Sequence, residues 1–268
     1  MVKIKGKVND LKKICKLIRL SGKMPDGSSS ALIDNFIMDC KPNNSIEVKV
    51  FGKTNSVMAI LTYKKVITIS EGEIPIGNID EFEGYLGRFG NFDEITLEDV
   101  GNKLKMSRDV PKKVAFMPLT SKENIDDSIR AKDVVGKLQR EGENWKFGNT
   151  KYDTFFIVNN SFMLEVLGDG DVQGLTRKYP ISINNNNVTC KVGEETGGQI
   201  ESQIPFIKIN NKEQGEVKSV FMAGIDNVFK GLEDNVIVHL KSNAPMIVEK
   251  KSEEYDVVYV IAPCVEGT

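Results

Sequence analysis

Few side chains in this sequence have the type and spacing to do covalent chemistry. The one histidine, His239, lies at an alternating position within a run of strand character, where a packed or edge residue is expected rather than a general base. No serine, histidine and acid set assembles around it, no glycine-rich loop between strand and helix cradles phosphate, and no carboxylates recur at metal-ligand spacing. Asp169-Gly170-Asp171 begins like a calcium loop, but the later ligand positions are missing, so it reads as a turn. Cys15, Cys40, Cys190 and Cys264 are far apart and fit neither a zinc knuckle nor a redox motif. Reduced thiols, no structural metal, no cofactor and no catalytic residue are expected, and the chain reads as a binding protein.

The pattern that stands out is cationic. In DLKKICKLIRLSGK, Leu11, Ile14, Cys15 and Ile18 mark one side of a helix, and Lys12, Lys16, Arg19 and Lys23 follow at intervals of four, three and four along another. Asn9-Asp10 offers a side-chain cap for its start. A second helix is expected in KDVVGKLQREG, with Val134, Val135 and Leu138 inward, Lys137 and Arg140 outward, and Gly142 as its end. Arg130 falls just ahead of it. A net formal charge of −2 says nothing against such local stripes.

The elements that must position these side chains are organised as a repeat. Over 217–265, Phe221, Ile225, Val228, Phe229 and Leu232 keep helical spacing, with Lys218 and Lys230 outside. Three strands follow, the last running Val257-Val258-Tyr259-Val260-Ile261 into Ala262-Pro263. Residues 77–119 show the same order. Ile79, Phe82, Leu86 and Phe89 make a helical face, strands follow near 94–98, 103–108 and 112–117, and Met117-Pro118 closes the unit.

Elsewhere, alternation predicts strands at the N-terminus and around 31–39, 45–52, 56–63 and 66–70. Further strands are expected around 152–158, 161–168, 172–181 and 186–192, with Asn159-Asn160 as a hairpin turn, Asn184 to Asn187 as an exposed tip and Gly193 to Gly198 as a loop. Another strand is expected near Ile204 to Ile209. The fold class is α+β: two tandem similar domains, each an antiparallel sheet carrying two helices. The domains are placed at 1–118 and 129–268, joined by a polar loop over 119–128. With 268 residues, 40% hydrophobic and 28% charged, the chain suits two domains of about 130 residues. No apolar run approaches membrane-span length and the charged start lacks a signal-peptide core, so an intracellular location without membrane contact is expected.

This order of elements, used twice, with Met38-Asp39 before a turn, Asn243-Ala244-Pro245-Met246 and a closing Tyr259-Val260-Ile261-Ala262-Pro263, resembles the DNA sliding clamps of the proliferating-cell-nuclear-antigen type. The likeness is densest over 215–265, thinner over 10–50 and 77–119, and thinnest over 120–210. It implies a homotrimeric ring of six similar domains around double-stranded DNA, a replication and repair processivity factor that binds without reading sequence. The DNA-facing residues would be Lys12, Lys16, Arg19, Lys23, Arg130, Lys137, Arg140, Lys218 and Lys230. The helix at 78–90, with Asp80, Glu81 and Glu83 against Arg88, departs from a basic lining.

The resemblance also implies an outer hydrophobic pocket that takes short peptides from a DNA polymerase, clamp loader, ligase or nuclease. Its wall would comprise Met38, Ile46, Ile125, Pro245, Ile261, Ala262 and Pro263. The chain would act where its DNA is, in nucleoid, nucleus or viral replication site. Two other classes stay open: a checkpoint or viral clamp-like factor that does not form a homotrimer, and an enzyme on a duplicated α+β scaffold.

Overall fold

The computed structural model describes residues 1–23, 29–52, 56–169, 178–193, 198–212, 215–222 and 224–264. Its first unit opens with β1 (Lys3–Lys7) and α1 (Val8–Arg19), then β2 (Ser21–Lys23) paired with β3 (Ser29–Ala31). β4 (Phe36–Lys41), β5 (Ser45–Phe51), β6 (Val57–Tyr63), β7 (Ile67–Ser70) and β8 (Gly72–Ile76) follow. α2 (Ile79–Leu86) then leads into β9 (Glu94–Asp99), β10 (Lys103–Arg108) and β11 (Lys113–Pro118). The expected helix followed by three strands is therefore present. Asn78 caps α2 by accepting a hydrogen bond from the Glu81 amide at 3.0 Å.

Between the repeats the chain is more structured than a polar loop. A 3-10 turn (Lys122–Asn124) precedes α3 (Asp126–Val135), and β12 (Leu138–Glu141), β13 (Asn144–Phe147) and β14 (Thr150–Tyr152) form a three-stranded antiparallel sheet. The helix expected over 132–142 is thus a helix end followed by a strand. Gly142, with φ +66°, sits between β12 and β13 where a positive φ is needed, rather than at a helix terminus.

The second unit runs β15 (Phe155–Asn159), α4 (Asn160–Gly168), β16 (Lys178–Asn184), β17 (Asn187–Gly193), β18 (Gln199–Gln203), β19 (Lys208–Asn210), β20 (Val217–Met222) and α5 (Ile225–Lys230). β21 (Asn235–His239), β22 (Met246–Lys251) and β23 (Tyr255–Ile261) end it. Two readings change here. The stretch 161–168 is helical, and Asn159 is its N-cap, accepting from the Ser161 amide at 3.0 Å, not a hairpin residue. The stretch 217–222 is a strand whose Val217, Ser219 and Phe221 point inward at period two, so the helix is confined to 225–230.

Strand order makes the duplication explicit. β1-β9-β10-β11 in the first unit corresponds to β15-β21-β22-β23 in the second, and β8-β4-β5-β6 to β20-β16-β17-β18. The units are joined within one nine-stranded sheet, because β23 pairs with β6 from Tyr255↔Tyr63 to Ile261↔Val57.

The two faces of that sheet bury different things. Val57, Ala59, Leu61 and Tyr63 of β6, and Tyr255, Val257, Tyr259 and Ile261 of β23, join one large core with α1, α2, α4 and α5. The intervening residues Met58 and Val260, with Ile247 of β22, meet Trp145 and Tyr152 in a second core that Val134, Val135 and Leu138 flank. Four helices therefore cover one face, and α3 with β12, β13 and β14 covers the other.

Candidate nucleic-acid interface

α1 forms because Leu11, Ile14, Cys15, Leu17 and Ile18 give it a fully buried stripe. Its first amides are satisfied by the turn after α2 rather than by Asn9 or Asp10: Val8 N–H donates to the Asp93 carbonyl at 3.0 Å and Asn9 N–H to the Asn91 carbonyl at 2.9 Å. Leu20, in the left-handed region at φ +46°, ends it. The helix is thus four residues shorter than expected at its C-terminal end, and Lys23 lies on β2. The Lys23 and Arg130 side chains lie outside the described residues. On the sheet side, Tyr259 Oη donates to the Leu17 carbonyl at 2.7 Å and Tyr63 Oη to Asp10 at 2.8 Å, which fixes the helix on β6 and β23.

The charges on this layer are not the stripe the sequence suggested. Lys16 is exposed on α1, and Lys12 is held by Asn91 Oδ1 at 2.9 Å. Arg19 is taken up by the acidic helix α2, with Asp80 at 2.6 Å and Glu83 at 3.0 Å. Those carboxylates therefore neutralise a neighbouring helix instead of facing outward alone. Lys13, absent from the expected lining, pairs with Glu254 at 2.8 Å, and Lys65 also reaches Glu254. The Lys13 and then the Lys65 hydrogen bonds hold the Glu254 carboxyl down at about 2.

The second unit does not repeat the stripe. By strand order the counterpart of α1 is α4, NSFMLEVLG, which has no basic residue. Lys137 lies after α3 and Arg140 on β12, across the sheet from the four-helix layer, so neither shares a face with Lys16. Lys218 is exposed on β20. Lys230 is on α5, paired with Asp226 at 2.5 Å. Lys12, Lys16 and Lys230 are the candidates whose described side chains the structure leaves on the helix layer outside the Arg19 ion pairs.

The expected pocket is divided between the two faces. Met38, Ile46 and Ile261 belong to the helix-side core, because strand alternation turns them away from the outer face. They do not line an outer wall. Ile125 is fully buried at the start of α3, and the Pro245 carbonyl accepts from Tyr152 Oη at 2.7 Å. Ala262 N–H donates to the Ser56 carbonyl at 2.8 Å, and Pro263 is half-buried. Sequence reasoning missed Ile37, whose amide donates to Ser128 Oγ at 3.1 Å, and Trp145, on the strand that the Gly142 turn leads into.

The outer layer is also tied down electrostatically. Arg140 Nη1 lies 2.6 Å from Glu249 on β22, and its guanidinium sits over the Trp145 ring at 5.2 Å. Glu249 also meets His239 Nε2 at 3.2 Å; both are buried, and the histidine has no free face to offer a substrate. Burial works to raise the Glu249 carboxyl, but the His239 and Arg140 hydrogen bonds outweigh it and leave it below the usual range. Asp169 accepts from Ser202 Oγ at 2.8 Å; Gly170 and Asp171 lie outside the described residues. Among the described residues no group of three His, Cys, Asp or Glu side chains could hold a metal ion, and no helix is long and apolar enough to cross a membrane.

No protein-family model and no curated protein matches the sequence. Solved structures do match the fold along the whole chain. The PCNA of A. fulgidus, in a complex with the C-terminal region of FEN-1, superposes with a TM-score of 0.73 at 13% identity, covering 100% of both chains. The PCNA of Thermococcus kodakaraensis gives 0.72 at 13% identity, covering 98% of this chain and 100% of its own. The PCNA2-PCNA3 complex of Sulfolobus tokodaii gives 0.69 at 13%, again over 98% and 100%. This chain has the fold of the PCNA sliding clamps.

Proposed function

We propose that the chain is a sliding clamp, a ring-forming processivity factor that holds replication and repair enzymes on double-stranded DNA and has no catalytic activity of its own. The observation that carries this reading is the duplicated fold with α1, α2, α4 and α5 on one face of a sheet shared by both units. Such a layer, closed into a ring, would present Lys16, Lys12 and Lys230 to phosphates without base readout. Retention would then rest on topology more than on affinity, which suits a helix layer where acids and bases nearly balance.

Closure is favoured by the repeat itself. The intramolecular junction joins β6 to β23, and their repeat equivalents, β18 and β11, each stand at one edge of a sheet with no neighbour on that side among the described residues. One chain's β11 meeting the next chain's β18 would copy the internal junction between subunits, head to tail. Val114 and Phe116 are exposed along β11, as an edge awaiting a partner would leave them. A homotrimer is the first form proposed, and a ring with related chains is the second, since the Sulfolobus tokodaii match is a complex of two PCNA chains.

The A. fulgidus match has the C-terminal region of FEN-1 bound, and partners carrying short apolar motifs are proposed for this chain. We place the units at 1–118 and 155–268, with 119–154 as a folded connecting segment. Light scattering behind a sizing column tests the ring: about three times the 29.8 kDa chain mass supports it, and a concentration-independent monomer rejects it.

A further inference from the structure

We propose that the corner made by the turn after α2, the start of α1 and the tip between β10 and β11 binds single-stranded nucleic acid, stacking bases on Phe92. This goes beyond passage of a duplex through a ring and does not require the ring. Phe92 is 88% exposed at the tip of a turn that is itself held rigid. Asp93 N–H donates to the Gly90 carbonyl at 2.9 Å, Gly90 N–H donates to Asp93 Oδ2 at 2.8 Å, and Arg108 clamps the same carboxylate. The amides of Val8 and Asn9 anchor this turn to α1. An exposed ring on a fixed turn is a platform that offers its face to any base.

Cations surround it. Lys12 is bonded to Asn91, Lys113 Nζ donates to the Arg88 carbonyl and lies over the Phe89 ring at 5.4 Å, and Arg88 lies over Tyr85 at 5.6 Å. Lys112 and the 86% exposed Val110 are on the adjoining tip. Of the carboxylates nearby, Asp93 is held by Arg108 and Glu94 by Lys5 at 2.5 Å, while Asp109 on the tip acts on Lys5 only through space, so the cations still outnumber them. A net positive, ring-bearing protrusion suits a polyanion with stackable bases; an acidic peptide would need a groove, and Phe92 stands proud of the surface.

The test is fluorescence anisotropy of the full chain with a labelled 12-nucleotide oligo-dT and with an abasic oligonucleotide of the same length. Phe92→Leu is expected to weaken oligo-dT binding roughly 5- to 150-fold and to leave abasic binding unchanged. Arg88→Ala with Lys112→Ala should weaken both. The variant's melting temperature and solution mass, read on the same samples, separate misfolding and failure of the ring from failure of this site. Equal binding of oligo-dT by Phe92→Leu and the parent chain, equal binding of the two oligonucleotides, or displacement of oligo-dT by an equimolar acidic peptide overturns the proposal.

Discussion

Arg140 on β12 places its guanidinium 2.6 Å from the Glu249 carboxylate on β22, which is 1% exposed, and thereby pins the segment between the repeats to the sheet that both repeats build. Removing the arginine leaves a buried carboxylate with only His239. Arg140→Ala should cost about 1–3 kcal/mol, below the range for a fully buried pair because the guanidinium is itself partly solvated. Trp145, the one tryptophan, reports the change directly: its emission should shift to the red as the segment loosens. Unaltered emission and melting temperature would contradict this picture.

Tyr259→Phe removes the donor to the Leu17 carbonyl without creating a large void. The carbonyl is left buried and unpaired, so denaturant unfolding should show a loss of about 1–3 kcal/mol, while Tyr85→Phe, at a half-exposed site on α2, should be near neutral.

Acid should loosen the α1–β23 side of the molecule. The folded Glu254 carboxyl is depressed to about 2 from an unfolded value near ~4.3, so its contribution is complete above that unfolded value and is lost as pH falls toward 2. Glu249, also depressed, acts in the same direction. Glu254→Gln should therefore flatten the stability profile between about pH 4.5 and pH 2 and change its slope little above about pH 5. A variant profile parallel to the parent across the acid limb would refute the assignment.

On the helix layer, Lys16 and Arg19 should behave differently toward duplex DNA. Lys16→Ala should reduce the salt dependence of binding by about one counterion, whereas Arg19→Ala, whose charge is already matched by Asp80 and Glu83, should reduce it much less. Equal slopes for the two variants would mean that the ion pairs open on DNA.

Phe116→Asp on the exposed edge of β11 should leave the fold intact and lower the solution mass of any assembly, because a charge on an open edge blocks strand pairing. An unchanged mass would move subunit contact away from β11.

The strands were legible wherever apolar and polar residues alternate beside turn residues. β9, β10 and β11, and again β21, β22 and β23, lie where period two put them. α4 was not, because Phe162, Met163, Leu164, Val166 and Leu167 form a nearly continuous apolar run that fits a buried strand equally well. Val166 is the one β-branched residue in that run, a helix signal that was there to be used. Burial decides it: Asn160 Nδ2 donates to the Phe229 and Leu232 carbonyls, both at 2.8 Å, locking α4 to the end of α5. In β20, Phe221 sits four residues before Ile225 by coincidence, and that spacing disguised a strand as the first turn of a helix.

The site was less legible than the fold, for a related reason. A lysine every three or four residues marks a helix face only if the helix continues, and both stripes ran past their helices, at Leu20 and at Gly136. Whether a cation is free depends on side chains far away in sequence, as Glu83 for Arg19 shows across 64 positions.

Pairing β23 with β6 also sets the order of events during synthesis. Until residues 255–261 leave the ribosome, β6 is a seven-residue edge of apolar side chains without its partner, and the hydrophobic face meant for Tyr255, Val257 and Tyr259 stays uncovered. The nascent first unit thereby carries an open apolar edge while residues 64–254 are made, the state in which an unpaired strand invites wrong partners, and its protection depends on a strand of the second unit.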